Sequence, residues 1–332
     1  MTKTTNTDNS NFRSGYVALV GRPNVGKSTL LNQLLGQKIA ATTHKPQTTR
    51  KNLLGILHPE GAQVLILDTP GHHQAKGALN RFMVDQVRRA IGDADVVGFV
   101  VEAREDDKIT DGTQRILDAV IRSKKPVVLI LNKVDLIKQK DGLLLQIQKM
   151  TEHLGEQLVA AVPISATKKN GLDRVADAFA QALPEGPQYF GDDQVTDMSE
   201  RAIVAEMIRE KVMLETQQEL PYSAATTVEL FEDKRPRLIK IMATIHVERD
   251  SQKGIVVGKG GKRIKAIGQR ARQDIEYFLD CKVFLDLNVR VTDKWSDNPR
   301  RLADLGYSLE APTMQIEQPA TFDLSDLGED YE

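Results

Sequence analysis

The sequence predicts an α/β domain, with a mostly parallel sheet and helices on both faces, followed by a smaller α+β domain. Two observations carry this. Short apolar runs alternate with longer amphipathic stretches from Gly15 to about Leu183. Beyond a segment rich in Pro, Gly and Asp, that alternation gives way to paired strands and a glycine cluster. The length of 332 residues suits about two domains.

In the first domain, residues 16–20, 64–67, 95–101, 127–131 and 159–164 read as buried strands. Residues 29–35, 79–91, 114–121 and 143–154 read as helices. Residues 52–57 and 63–67, joined by Pro59-Glu60-Gly61, form one hairpin. The partition is 1–14 as a disordered N-terminus, 15–183 as the first domain, 184–199 as linker, 200–307 as the second domain and 308–332 as an acidic tail. That tail carries seven acidic and no basic residues and is expected to be solvated and mobile.

Composition is that of a globular protein, with 40% hydrophobic and 27% charged residues and a net charge of −1. The lone Cys281 excludes an intramolecular disulfide. The polar first ten residues do not read as a signal peptide, and no apolar run approaches the roughly 20 residues that span a bilayer. A cytoplasmic protein is expected. The scattered histidines, His72 and His73 included, have no partners at zinc-ligand spacing.

Gly21-Arg22-Pro23-Asn24-Val25-Gly26-Lys27-Ser28 follows a strand and opens the helix that starts at Thr29. This is the pattern of a phosphate-binding loop. Its glycines let backbone N–H groups curl around phosphate, and the helix N-terminus adds positive potential. Lys27 reaches the β and γ phosphates, and the Ser28 hydroxyl is placed for Mg²⁺. Asp68-Thr69-Pro70-Gly71 follows a second strand: Asp68 can hold Mg²⁺ through water, and the Gly71 amide can meet the γ-phosphate. Asn132-Lys133-Val134-Asp135 and Ser165-Ala166-Thr167 follow two further strands. They resemble the guanine-reading loops of the Ras-like GTPase superfamily. There Asp135 would accept from guanine N1–H and the 2-amino group, Asn132 would brace the loop, the Lys133 stem would cover the ring, and a backbone N–H of the Ser165-Ala166 loop would face O6. Each motif is short; their joint occurrence, in order and at strand ends, predicts a GTP/GDP-binding and GTP-hydrolysing protein.

The second domain reads helix, strand, strand, helix, glycine loop, helix, strand, the order of a type II KH domain. Gly258-Lys259-Gly260-Gly261 supplies the GxxG loop, followed by Lys262, Arg263, Lys265, Arg270 and Arg272 on a helix whose apolar face is Ile264, Ile267, Ala271 and Ile275. Residues 234–301 hold 17 Lys/Arg against 8 Asp/Glu, an electrostatic footprint for a polyanion. Single-stranded RNA is the expected ligand.

Set together, Lys45-Pro46-Gln47-Thr48-Thr49-Arg50, Asp68 to Gly71, residues 79–84, Arg209-Glu210-Lys211, Leu220-Pro221-Tyr222 and Trp295 through Tyr307 resemble the Era family of bacterial GTPases over most of the chain. The resemblance implies that residues 46–50 are the first switch, with Thr48 or Thr49 touching Mg²⁺; spacing does not choose between them. It implies binding to the 3′ region of 16S rRNA, a role in 16S rRNA processing, 30S ribosomal subunit assembly and cell-cycle regulation, a monomer, and weak peripheral association with the inner face of the membrane, although no amphipathic anchor is visible. The competing reading is an rRNA-binding module whose nucleotide is structural and barely turned over. Two positions depart from the family. Where many GTPases place a water-orienting glutamine and this family an aliphatic residue stands His72, which keeps two readings, positioning the attacking water or, the favoured one, facing solvent, so slow basal hydrolysis is expected. Phe190 replaces the usual proline after Tyr189. Asn24 keeps two readings: a partner of K⁺ beside the phosphates, as in related GTPases, or a local cap of its own loop.

Overall fold

In the computed structural model, residues 12–71, 77–106, 108–138, 140–217 and 220–307 are described. His72 and the acidic tail 308–332 lie outside them, as do residues 1–11.

The first domain is built in the order β1 (Arg13–Val20), α1 (Lys27–Leu35), β2 (Leu53–Leu57), β3 (Ala62–Asp68), α2 (Ala78–Asp93), β4 (Val96–Glu102), α3 (Asp111–Ser123), β5 (Val127–Asn132), α4 (Lys140–Leu154), β6 (Leu158–Pro163) and α5 (Leu172–Ala182). The strands form one sheet in the order β2-β3-β1-β4-β5-β6. Only β2 runs against its neighbour, as the hairpin pattern predicts; the other pairs are parallel. β1, β4 and β5 are apolar on both faces because helices cover both, which is why they read as continuous runs rather than alternations. One layer packs Val17, Leu19, Val128 and Ile130 against Phe179 of α5; the other packs Ala18, Val97, Phe99 and Leu129 against Leu117 and Val120 of α3. The helix α5, absent from the sequence reading, supplies the first of these layers. The phosphate-type loop and the three other nucleotide motifs all leave the carboxyl ends of strands β1, β3, β5 and β6, so the parallel sheet brings them to one edge.

The second domain runs α6 (Glu200–Glu215), β7 (Ala225–Lys234), β8 (Leu238–Val247), α7 (Asp250–Val257), α8 (Lys262–Leu279), β9 (Val283–Val291) and α9 (Pro299–Asp304). β7 pairs antiparallel with β8, and β9 parallel with β8. On α8, Ile267, Ala271, Ile275 and Leu279 are buried, whereas Ile264 is only half-buried; the apolar stripe is shifted one turn towards the C-terminus relative to expectation.

One expected boundary moves. The strand β1 begins at Arg13, inside the segment assigned to the N-terminus. The linker is not a free tether, because its backbone and side chains bond along the outer edge of the sheet. Ile56 N–H donates to Val195 O at 2.9 Å, Thr196 Oγ1 to Leu54 O at 2.6 Å, and Gln63 Nε2 to Phe190 O at 2.8 Å.

Candidate nucleotide and RNA sites

The loop between β1 and α1 turns through left-handed backbone at Asn24 (φ 63°) and Gly26 (φ 99°). At Gly26 a side chain is also sterically forbidden, since a Cβ would lie 2.3 Å from Asn132 Nδ2. Lys27 is buried and donates to the carbonyls of Gly21 (3.0 Å) and Arg22 (3.3 Å). Burial lowers its pKa to about 8, against the opposing pull of Asp68. Burial in turn raises the Asp68 carboxyl, opposed by Lys27 and by hydrogen bonds from Ser28 and Thr49. Such a partly desolvated ammonium in a ring of amides is built to receive an anion.

Three oxygens converge beside it. Ser28 Oγ lies 2.6 Å from Thr49 Oγ1 and 2.6 Å from Asp68 Oδ2, and Thr49 Oγ1 lies 3.1 Å from the same carboxylate oxygen. Asp68 Oδ1 is buried with no hydrogen-bond partner among the described residues. An all-oxygen cluster with one carboxylate and an unsatisfied acceptor fits a small hard cation such as Mg²⁺. The structure also separates the two threonines. Thr48 turns away, its hydroxyl on Thr43 Oγ1 (2.7 Å) and Lys45 O (2.8 Å), so of the two threonines expected beside a metal it is Thr49 whose hydroxyl reaches the Ser28–Asp68 cluster.

Gly71 abuts the phosphate-type loop: a Cβ there would stand 2.8 Å from Pro23 Cα, which is why this position needs glycine at an ordinary φ. Thr69 and Thr29 take supporting places, Thr69 by donating to Leu19 O at 2.7 Å and Thr29 as part of the pocket wall with Asn24, Lys27 and Gly71. Arg22 points aside, to Thr110 Oγ1 at 3.0 Å. Asn24 reaches beyond its own loop. Its carboxamide donates 2.8 Å to the carbonyl of His44, twenty residues away in the segment before the first switch.

The base-reading loops are wired together. Asn132 Nδ2 donates to Val25 O (2.8 Å), and its Oδ1 accepts from the N–H groups of Lys133 (2.8 Å) and Ala166 (3.0 Å). One side chain thus ties three motifs, the Ser165-Ala166 loop among them. Ser165 Oγ donates 2.6 Å to Asp135 Oδ1 and holds that exposed carboxylate outward. Lys133 sits in left-handed backbone, its Nζ 3.2 Å from Glu102, while Val134 N–H donates to Ile164 O at 3.1 Å.

In the second domain, Gly258, Gly260 and Gly261 all have positive φ (72°, 58° and 74°). They differ in purpose. A Cβ at Gly258 would meet Arg263 Cβ at 2.8 Å, so that glycine serves the fold; at Gly260 and Gly261 a Cβ would meet nothing within 4 Å, so the bare backbone there is open to a ligand. A cavity of roughly 500 Å³, the order of a nucleotide-sized site, runs beside α8 between Ile264, Lys265, Gly268, Gln269 and Arg272 on the helix and Leu285 and Leu287 on β9. Its apolar floor and cationic rim suit stacked bases and their phosphates. Lys259 and Lys262 are exposed at its glycine end. Two expected residues are committed elsewhere. Arg263 donates back to Ile255 O, and Arg270 pairs with Glu215 of α6. Gln269, Leu285 and Leu287 were missed, because which strand faces which helix turn depends on β9 pairing with β8.

Residues 16–133 match a family described as 50S ribosome-binding GTPase, and residues 219–296 match the KH domain. The GTPase Era of Geotalea uraniireducens is 48% identical over 296 residues, 89% of this chain and 98% of the relative. The GTPase Era of Heliobacterium modesticaldum is 41% identical over 300 residues, 89% and 97% of the two chains. The chain belongs to the Era family. A solved Era structure, described as a complex with MgGDPNP and nucleotides 1506–1542 of 16S ribosomal RNA, superposes with a TM-score of 0.84 at 37% identity, covering 90% of this chain and all of the other. As an Era-family member the chain binds and hydrolyses GTP and binds RNA.

Arg50 and the helix α2 of this Era-family chain both lean on its RNA-binding half. Arg50, 2% exposed, donates 2.8 Å to Ala224 O and 2.8 Å to Tyr222 O, with its guanidinium 5.6 Å from the ring centre of Trp295 and 5.9 Å from that of Tyr307. Ala78, Leu79, Phe82 and Met83 of α2, which follows Gly71, pack on Ala225, Trp295, Leu302 and Tyr307. No helix among the described residues is long and apolar enough to cross a membrane.

Proposed function

We propose that this GTPase binds the 3′ region of 16S rRNA in the cleft beside α8 and acts as a timing switch in 16S rRNA processing and assembly of the 30S subunit, with cell-cycle regulation as a downstream effect of subunit supply. The observation that carries this is the shared wall: Thr42, Thr43, Gln47, Thr48 and Thr49 line the phosphate pocket, while Thr42 and the adjoining Arg50 contact the RNA-binding half. The fit of the RNA cleft and the solved 16S complex of an Era protein support the choice of RNA.

In this reading Asp135 selects guanine, and Asn132 keeps that loop in register with the phosphate loop. Lys27 and the loop amides hold the β and γ phosphates. Ser28, Thr49 and Asp68 would hold Mg²⁺, which when bound neutralises charge on the phosphate oxygens. Gly71, pressed on Pro23, offers its amide to the γ-phosphate, and loss of that phosphate frees the segment. Asn24 and the His44 carbonyl, already in contact, are the oxygen-bearing groups that would border K⁺, taking the place of an arginine finger. The protein acts as a monomer in the cytoplasm and meets the membrane at most through weak peripheral contact.

Single-turnover GTP hydrolysis, with and without a 16S 3′-end RNA and in K⁺ or Na⁺, tests the reading. K⁺ should accelerate hydrolysis relative to Na⁺, and Asn24→Ala should erase that difference. A tight complex with an unrelated stem-loop but none with the 16S segment would overturn the choice of RNA.

A further inference from the structure

The C-terminal half of helix α6 in the RNA-binding half meets the first switch and the segment just before it. Glu210, its side chain 3% exposed, accepts the N–H of Thr42 at 2.8 Å and the ammonium of Lys38 at 2.7 Å. Arg209 donates to Thr48 O, and Lys45 donates to the carbonyls of Met213 and Thr216 at the end of the helix, where orphan carbonyls attract a cation. The cluster then reaches the RNA helix. Asp274 on α8, two positions beyond Arg272 of the cleft, lies 2.8 Å from Lys38 and 2.6 Å from Lys211, which itself lies 2.8 Å from Glu210.

We propose that Glu210 is a positioning residue through which the RNA-binding half orders the first switch, and that the Glu210–Lys38–Asp274 cluster is the route by which cleft occupancy and nucleotide state sense each other. This deepens the proposed function and assumes its two ligands. Thr42 and Thr48 form part of the phosphate pocket wall, so fixing the Thr42 amide and the Thr48 carbonyl fixes the wall. In a GTPase whose switch is held only by the γ-phosphate, the ordering free energy comes wholly from nucleotide. Here α6 supplies part of it in cis, as an effector protein would for a separate GTPase. A carboxylate suits the role because its two oxygens serve different partners: Oε2 the Thr42 amide, Oε1 the Lys38 and Lys211 ammoniums.

The test uses the full chain. RNA affinity is titrated with GDP and with a non-hydrolysable GTP analogue, and amide hydrogen exchange is followed across residues 38–50. The ratio of the two RNA affinities is the coupling factor, and linkage requires RNA to change the analogue-to-GDP preference by the same factor. E210A should bring the ratio to within about 2-fold of unity, with GDP affinity and RNA affinity in the GDP state both within about 2-fold of wild type. It should also raise exchange at Thr42. E210Q, which retains an acceptor for the amide but not the ion pairs, should fall between. K38M should reduce coupling as well, with no additional loss in the double variant. Wild-type coupling and exchange in E210A, in protein that binds both ligands, would overturn the proposal and leave Glu210 a packing residue. A wild-type chain that binds both ligands without coupling would overturn it too. Failure of the chain to bind RNA at all would instead strike the functional reading beneath it.

Discussion

Thr49 and Arg50 are consecutive residues that face opposite halves of the molecule: the Thr49 hydroxyl lies 2.6 Å from Ser28 Oγ beside the phosphate loop, and the Arg50 guanidinium lies 2.8 Å from Ala224 O in the RNA-binding half. One peptide unit therefore separates the cation site from the aromatic box of Trp295 and Tyr307.

Replacing Arg50 by alanine should cost about 3 kcal/mol, since two buried carbonyls lose their donor and two rings lose a stacked cation. Arg50→Lys should recover little of it, because a single ammonium cannot reproduce the planar fork. Urea denaturation of both variants checks the cost, and a loss below about 0.5 kcal/mol for Arg50→Ala would contradict the buried-box account.

Asp135→Asn should turn preference from guanosine towards xanthosine nucleotides, as xanthine presents an oxygen where guanine presents an amino group. The loss for GDP should be about 2 kcal/mol or more. Competition binding with GDP and XDP decides it; unchanged GDP affinity would remove Asp135 from the base site.

Lys27 gives a pH dependence with a definite sign. In the free protein burial holds its pKa at about 8. A bound phosphate favours the charged form and raises that pKa, so above pH 8 the complex retains a proton that the free protein has lost. Affinity for GDP is therefore unaffected by this group below about pH 8 and falls as pH rises above it. Calorimetry in buffers of different ionisation enthalpy should show net proton uptake on binding that grows between about pH 7.5 and 8.7.

Gly260→Asp should abolish RNA binding and leave GDP binding intact. The free protein has room for the side chain, so the backbone penalty at φ 58° is the main folding cost, on the order of 1 kcal/mol. A bound strand finds that room filled and meets a negative charge. By contrast Gly258→Ala should destabilise the domain itself, through its 2.8 Å clash with Arg263. RNA titration beside a melting curve separates the two, and wild-type RNA affinity in Gly260→Asp would refute the placement of RNA on this loop.

The nucleotide motifs were legible because each is a few adjacent residues at a strand end, and a parallel sheet brings such ends together without further instruction. The hairpin of β2 and β3 and the buried strands were legible for a similar reason, since apolar runs and a Pro-Glu-Gly turn are local signals. That Thr49 rather than Thr48 lies beside Ser28 and Asp68 was not, because it depends on which way the chain is rolled, and Arg209, 161 residues away, helps to set that roll through the Thr48 carbonyl. The commitments of Arg263 to Ile255 O and Arg270 to Glu215 were also hidden: a basic helix shows its charges in sequence but not which of them already have partners. Asn24 falls between, its residue type visible and its partner His44 not.

The linker fastened to β2 has a consequence for how the halves associate. Thr196 is the last residue pinned to the sheet edge, and α6 begins at Glu200. Three residues of slack span at most about 10 Å, so the RNA-binding half behaves as a ligand tethered at very high effective concentration beside the GTPase surface. Contacts too weak to hold two separate proteins together suffice here, and breaking some of them lets the half rock without drifting away. The same strip of chain occupies the hydrogen-bonding positions of the exposed strand, so this edge of the sheet is closed to a strand from another molecule.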